Sequence, residues 1–169
     1  QRDEWGVPHI KGPTDASAVF GVAYATCEDH FWQVEETMLQ VLGRYAEVTG
    51  ESGLDNDLKI ALFEIVSRSK ADYETLEPKL KAFCEAYAAG YNFYLKTHPD
   101  VKPRGFTHYE PYHMLCYERG MMMQRLLGHA HAPQNKLSPL AEEMRAHEGS
   151  NAWAISGKPN LKRVVEETA

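Results

Sequence analysis

The chain has 169 residues, 43% of them hydrophobic and 25% charged, with 18 basic side chains against 24 acidic ones for a net charge of −6. That apolar content fills a core, which excludes a wholly disordered chain, and an acidic balance without a long basic run argues against nucleic acid as the main partner. No apolar run approaches the roughly 18–20 residues of a membrane span, and three widely spaced cysteines, Cys27, Cys84 and Cys116, do not make a disulfide framework.

Residues 5–12 read as a short extended segment, because Gly6 and Pro8 oppose helix. There is no signal-peptide pattern at Gln1, and the strand-like start points to a processed N-terminus. Thr14 or Asp15 caps a helix from about Ala16 to Gly43, with Phe20, Tyr24, Phe31, Val34, Met38 and Val41 at helical spacing. Gly21 and Cys27–Asp29 are candidate breaks within it. The glycines and polar residues of 43–57 predict a turn with a loop.

A second helical stretch is expected from Asp57 to about Lys70. A third runs from Pro78 to about Thr97, with Leu80, Phe83, Tyr87, Tyr91 and Tyr94 on one face. Pro99, Pro103 and Gly105 make 98–110 a loop, and Pro111 suits the first turn of a helix through Met114, Tyr117, Met121 and Leu126. Residues 128–139 are loop-like, and 137–147 predict a short amphipathic helix. Residues 151–156 predict a strand and 157–160 a turn. The expected chain is mostly α, with extended segments near both ends.

Several constellations can carry chemistry. Gly149-Ser150-Asn151 is ordinary turn vocabulary, and no Gly-x-Ser-x-Gly elbow accompanies it. A serine is activated in another way when the chain is cut directly before it. The freed α-amino group has an intrinsic pKa of about 7.7–8.0, close to what a general base needs at neutral pH. Gly149 suits such a cut, since it takes strained conformations without a Cβ penalty.

His129 and His131 can supply two metal ligands, with His108, His113 and His147 elsewhere, but no Cys-x-x-Cys or His-Glu-x-x-His pattern joins them. Solvated loop histidines are the simpler reading. Met114, Tyr117, Met121, Met122, Met123 and Leu126 are core residues or the wall of an apolar pocket. Glu28, Asp29, Glu35 and Glu36 fit ion pairing better than acid–base work.

These motifs together resemble, in order, the α-subunit region and processing junction of penicillin acylase-type N-terminal-nucleophile hydrolases, which include acyl-homoserine-lactone acylases. The resemblance rests on Arg2-Asp3-Glu4-Trp5-Gly6-Val7-Pro8-His9-Ile10, residues 20–25, Glu28-Asp29-His30-Phe31-Trp32-Gln33 and Gly43-Arg44-Tyr45-Ala46-Glu47-Val48-Thr49-Gly50 with Asp57. It continues through Ala86-Tyr87-Ala88-Ala89-Gly90-Tyr91-Asn92, Tyr109-Glu110-Pro111 and Gly149-Ser150-Asn151-Ala152-Trp153.

The resemblance implies a four-layer αββα fold completed by a larger β chain, with residues 1–149 α-subunit-like and 150–169 the start of the β-subunit-like region. It implies autocatalytic cleavage of a zymogen at Gly149–Ser150 and hydrolysis of N-acyl amides such as antibiotics or quorum signals. Ser150 is then both the nucleophile and, through its α-amino group, the base. Met122, Gln124, Arg125 and Leu126 match the helix at the mouth of the acyl pocket, so Met122, Arg125 and Leu126 are the expected substrate-binding residues. Export to the periplasm or beyond the cell, a heterodimer with the β chain and a small N-acyl amide substrate are implied as well.

Some members carry a calcium-binding glutamate where a gapless count reaches Ala132, so no metal or other cofactor is expected. His30 stands where an arginine is commoner. Only 19 residues follow Ser150, too few for the central sheets or the oxyanion hole, and residues 158–169 do not continue the family pattern. A fragment, a separate partner chain and a non-native terminal segment all fit that length. The contrasting expectation is a non-catalytic helical binding module that retains the α-subunit pattern.

Overall fold

The computed structural model describes residues 1–130, with side chains through residue 127. These residues are mostly helical, and among them there is no strand, only an isolated antiparallel bridge between Arg2 and Pro8. The expected helix over 137–147 and strand over 151–156 lie outside the described residues.

The first ten residues fold as a tight turn around Gly6, whose φ of +80° is one a side chain resists. The Asp3 carboxylate accepts from the Trp5 and Val7 amides, and the Arg2 guanidinium donates to the Gly6 carbonyl. Helix α1, Asp15–Val41, is capped by Thr14, whose Oγ1 accepts from the Ser17 amide at 3.1 Å. Gly21 does not interrupt it, but two helical runs meet in a kink directly after the expected break at Cys27–Asp29. Its single non-helical residue is His30, at φ −142° and ψ 35°.

Between α1 and the next long helices lie a single turn of helix, α2 (Ala46–Thr49), and a 3₁₀ turn over Gly50–Gly53. Asp57 holds this segment: its two carboxylate oxygens accept from the Tyr45 and Ala46 amides at 2.9 and 2.8 Å. That is the physical reason Asp57 belongs with the 43–50 motif.

The expected single helix from Asp57 to Lys70 is two helices, α3 (Leu54–Leu62) and α4 (Ile65–Thr75). Glu64 breaks them by adopting a left-handed conformation, φ 54°. Ile60 and Ile65, buried on either side of the break, explain it. Five residues apart on one continuous helix they would point about 140° from each other, and the elbow turns both inward.

Helix α5 spans Pro78–Thr97, with Pro78 in its first turn, and α6 spans His113–Ala130. Pro111 therefore lies in a turn just before α6. Helix α6 also runs three residues into the segment expected to be loop.

Helices α1 and α5 pack against each other most intimately. Gly90 makes this possible, because a Cβ there would lie 2.5 Å from the Phe20 carbonyl oxygen. Phe31 stacks on Tyr91 and Tyr94, and Phe106 and Tyr109 close the cluster. Tyr91 is fully buried and its hydroxyl donates to the Phe106 carbonyl at 2.9 Å. The Asn92 side chain pairs with both backbone groups of Tyr109, each at 2.9 Å. Helix α5 thus satisfies the Phe106 carbonyl and both backbone groups of Tyr109 in the 98–112 loop. Leu80, at helical spacing with the buried residues of α5, is exposed instead.

Candidate active site

Helix α6 meets α1 through Gly120, where a Cβ would lie 2.7 Å from Val41 Cγ1. That contact fixes its rotation. Cys116, Gly120 and Met123 turn into the core, while Met122 and Leu126, one helical turn apart, turn outward. The methionine–aromatic set is therefore divided among three environments. Met123 belongs to the core. Met122 and Leu126 line an open cleft of about 440 Å³, and Met114 and Tyr117 line a second one of about 600 Å³.

The first cleft lies between α6 and the α3–α4 elbow. Phe63 and Ile65 face it from the elbow, and Met122, Met123, Leu126 and Leu127 from α6. Ile65 and Met123 are buried and form its floor, whereas Phe63, Met122 and Leu126 stand 44%, 58% and 63% exposed. Its charged rim is Glu118 and Arg119, and the Arg119 guanidinium is paired with Asp72. Arg125 is exposed on the same helix but does not line the cleft.

The second cleft opens between α1, α5 and α6 beside the kink at His30, and its lining carries no carboxylate, lysine or arginine. Burial pushes the Tyr87 hydroxyl there up to about 12, which keeps it a neutral donor.

The grouped carboxylates of α1 are engaged in ion pairs and hydrogen bonds. Arg2 reaches Glu28 and Asp29 at 2.9 and 2.8 Å. Glu35, fully buried, accepts from Arg104 Nε and the Gly105 and Phe106 amides at 3.2, 3.0 and 3.2 Å. Glu36 accepts from the Tyr45 hydroxyl.

The thiols are equally unsuited to catalysis. All three are buried and free. Burial raises Cys27 to about 12 and pushes Cys84 and Cys116 upward, so none is a thiolate at neutral pH. His108 pairs with Glu110, His113 is buried, and among the described residues no group of three or more His, Cys, Asp or Glu side chains is placed to hold a metal. The His129 side chain, His131, Ala132, Gly149 and Ser150 lie outside the described side chains.

The arrangement is thus two open, largely apolar clefts on a helical scaffold. A model of the penicillin amidase family matches residues 1–159. The chain belongs to the penicillin amidase family. A penicillin acylase 2 proenzyme from Pseudomonas sp. (strain SE83) is 34% identical over 95 residues, covering 56% of this chain and 12% of that protein. The acyl-homoserine lactone acylase QuiP of Pseudomonas putida is 27% identical over 163 residues, covering 95% of this chain and 20% of that protein. A thermostable penicillin G acylase from Alcaligenes faecalis shares the fold, with a TM-score of 0.62 at 20% identity over 94% of this chain and 96% of the solved one.

The chain therefore spans a fifth or less of the length of these curated relatives, yet nearly all of a solved acylase chain. Among the described residues of this family member, no helix is long and apolar enough to cross a membrane.

Phe63 and Ile65 escaped the sequence reading. Their signal is a surplus: Leu54, Leu58, Leu62 and Phe63 supply more apolar positions than one helix of nine residues can bury.

Proposed function

We propose that this chain is the α portion and processing junction of an acylase that hydrolyses the amide bond of N-acyl compounds. The observation that carries the reading is the family match, which extends through residue 159 and so includes Gly149-Ser150-Asn151-Ala152-Trp153. A solved acylase chain of nearly this length, beside curated proteins nearly five times as long, accords with a precursor divided into a short chain and a long one. On this reading the boundary falls between residues 149 and 150, and the long chain of the same precursor is the partner. Export to the periplasm or beyond follows from the same family reading.

In maturation, Ser150 Oγ attacks the Gly149 carbonyl carbon. The peptide C–N bond breaks, leaving Gly149 esterified to Ser150 and freeing the α-amino group. Water then opens the ester, giving a Gly149 carboxylate and an N-terminal Ser150.

In turnover, Oγ attacks the acyl carbonyl of the substrate while the α-amino group accepts its proton. The amine leaves carrying that proton, and the acyl-enzyme ester is hydrolysed by water to a carboxylate and free Ser150. The base and nucleophile share one residue, so no second side chain from the described helices is required. The α6 cleft, with Met122 and Leu126 on its wall, is apolar in the way an aliphatic or aromatic acyl group demands.

The test is Ser150→Ala in the complete precursor, read by intact mass and by release of p-nitroaniline from an N-acyl p-nitroanilide. The expected result is loss of both cleavage and hydrolysis. Hydrolysis at the unchanged rate in that variant overturns the mechanism. A wild-type precursor that stays uncut and inactive with both portions present favours the binding module instead.

A further inference from the structure

We propose that Phe63, at the elbow between α3 and α4, is a specificity-determining residue that contacts the distal part of the substrate's acyl group. The inference rests on the acylase reading and adds an opposite wall to the one formed by Met122 and Leu126. Three observations carry it.

The first is placement. Phe63 shares one cleft of about 440 Å³ with Met122 and Leu126, a volume within the usual range for small-molecule sites. The second is exposure without a packing role. The Phe63 ring is 44% exposed and stands outside the core cluster, although residues on either side of it, Ile60 and Ile65, belong to that cluster. A large aromatic group kept at the surface beside two other exposed apolar groups makes a contiguous apolar patch, which marks a binding surface.

The third is rigidity. The Phe63 amide donates to the Lys59 carbonyl at 3.0 Å, the Glu64 amide donates to Ala61, and the left-handed Glu64 turns the chain so that Ile65 is buried as floor. The ring is carried on a fixed backbone rather than on a free loop.

The chemistry of the cleft selects the acyl class. Its walls and floor are apolar, and the one cation on its rim, Arg119, is engaged by Asp72. An uncharged acyl group suits it, aliphatic or phenyl, long enough to reach from α6 to the elbow. The methionines adapt to either shape. Each additional methylene that reaches the cleft strengthens binding by about fourfold.

The experiment compares N-acetyl and N-decanoyl p-nitroanilides on the complete, processed enzyme. Phe63→Ala is expected to lower the decanoyl-to-acetyl ratio of kcat/KM about tenfold, chiefly through KM, and Phe63→Leu to recover part of that loss. A parallel calorimetric titration uses decanoate, the acid product that is not turned over, with the processed enzyme, where Phe63→Ala weakens binding by about the same factor. An equal loss for both substrates, or an unchanged ratio with unchanged binding, overturns the proposal. Persistent hydrolysis in Ser150→Ala sinks the nucleophile assignment alone, because the titration still decides the role of Phe63.

Discussion

Helix α1 fastens two distant segments through carboxylates, and the two fastenings differ in one respect, burial. Near its middle, Glu28 and Asp29 hold the N-terminal turn through Arg2, with all three side chains a third or more exposed. Two turns later, Glu35 holds the 104–106 backbone with no exposure at all. The residue type and the helix are the same, so composition does not separate them. In water an ion pair exchanges one good set of partners for another and gains little. In the interior an acceptor removed from buried amides leaves them with nothing. The buried clamp is therefore structural, while the exposed one contributes little to stability.

The sharpest way to break this contrast is Glu35→Ala. It strips the acceptor from two backbone amides and from Arg104, and about 3–4 kcal/mol of stability should be lost. Urea unfolding of the assembled protein measures it. Glu35→Gln, which keeps one acceptor oxygen, is expected to lose less. If Glu35→Ala costs no more than an average surface substitution, burial is not what distinguishes the two clamps.

The next effect belongs to the same loop, where it enters α6. His113 is 6% exposed, and its Nδ1 accepts from the Glu110 amide at 3.0 Å. Burial, then the nearby positive charges of His108, Lys70 and Arg44, push it down to about 4. The unfolded chain takes up a proton near pH 6.5, whereas the folded chain resists protonation until about pH 4. Between those values the unfolded state binds more protons, so stability falls as pH drops from about 6.5 to 4 and levels off below. The total is about 3 kcal/mol at most. His113→Asn, whose amide oxygen can still accept from Glu110, should flatten that part of the pH profile. A slope unchanged in this variant assigns the acid sensitivity to another group.

Much of this arrangement was legible in the residues, and the exceptions share a cause. Helix α5 was legible at both ends because Pro78 opens it and the 98–105 prolines and glycine follow it. The grouping of Gly43–Gly50 with Asp57 was visible as a motif, and its reason, two amides bound by one carboxylate, is a local one. The elbow at Glu64 was not legible. It contains no Gly or Pro, and its helical period continues unbroken. The demand that Ile60 and Ile65 both reach the core is tertiary, and it overrides local propensity.

The same holds for the site. Met122 and Leu126, named from the resemblance, lie on one wall of the open cleft beside α6. Phe63 sits on the facing element, 59 positions earlier in the chain than Met122, and only the packing of α4 against α6 brings it into the same cleft. Ser150 was readable as a motif alone and lies outside the described residues.

The smallest expected effect is at the exposed clamp. Arg2→Ala removes contacts to Glu28, Asp29 and the Gly6 carbonyl together. Its carboxylate partners are left facing water rather than sealed from it, so the penalty of an orphaned buried charge does not arise. The N-terminal turn keeps its own bonds, because the Asp3 carboxylate still accepts from Trp5 and Val7. The melting temperature of the assembled protein should fall by no more than about 2 °C at low salt. Ionic strength of 1 M, where the Debye length is about 3 Å, should bring wild type and variant together. A loss as large as that of Glu35→Ala, persisting at high salt, would mean that Arg2 secures more than a surface ion pair and that exposure is the wrong axis on which to rank the two clamps.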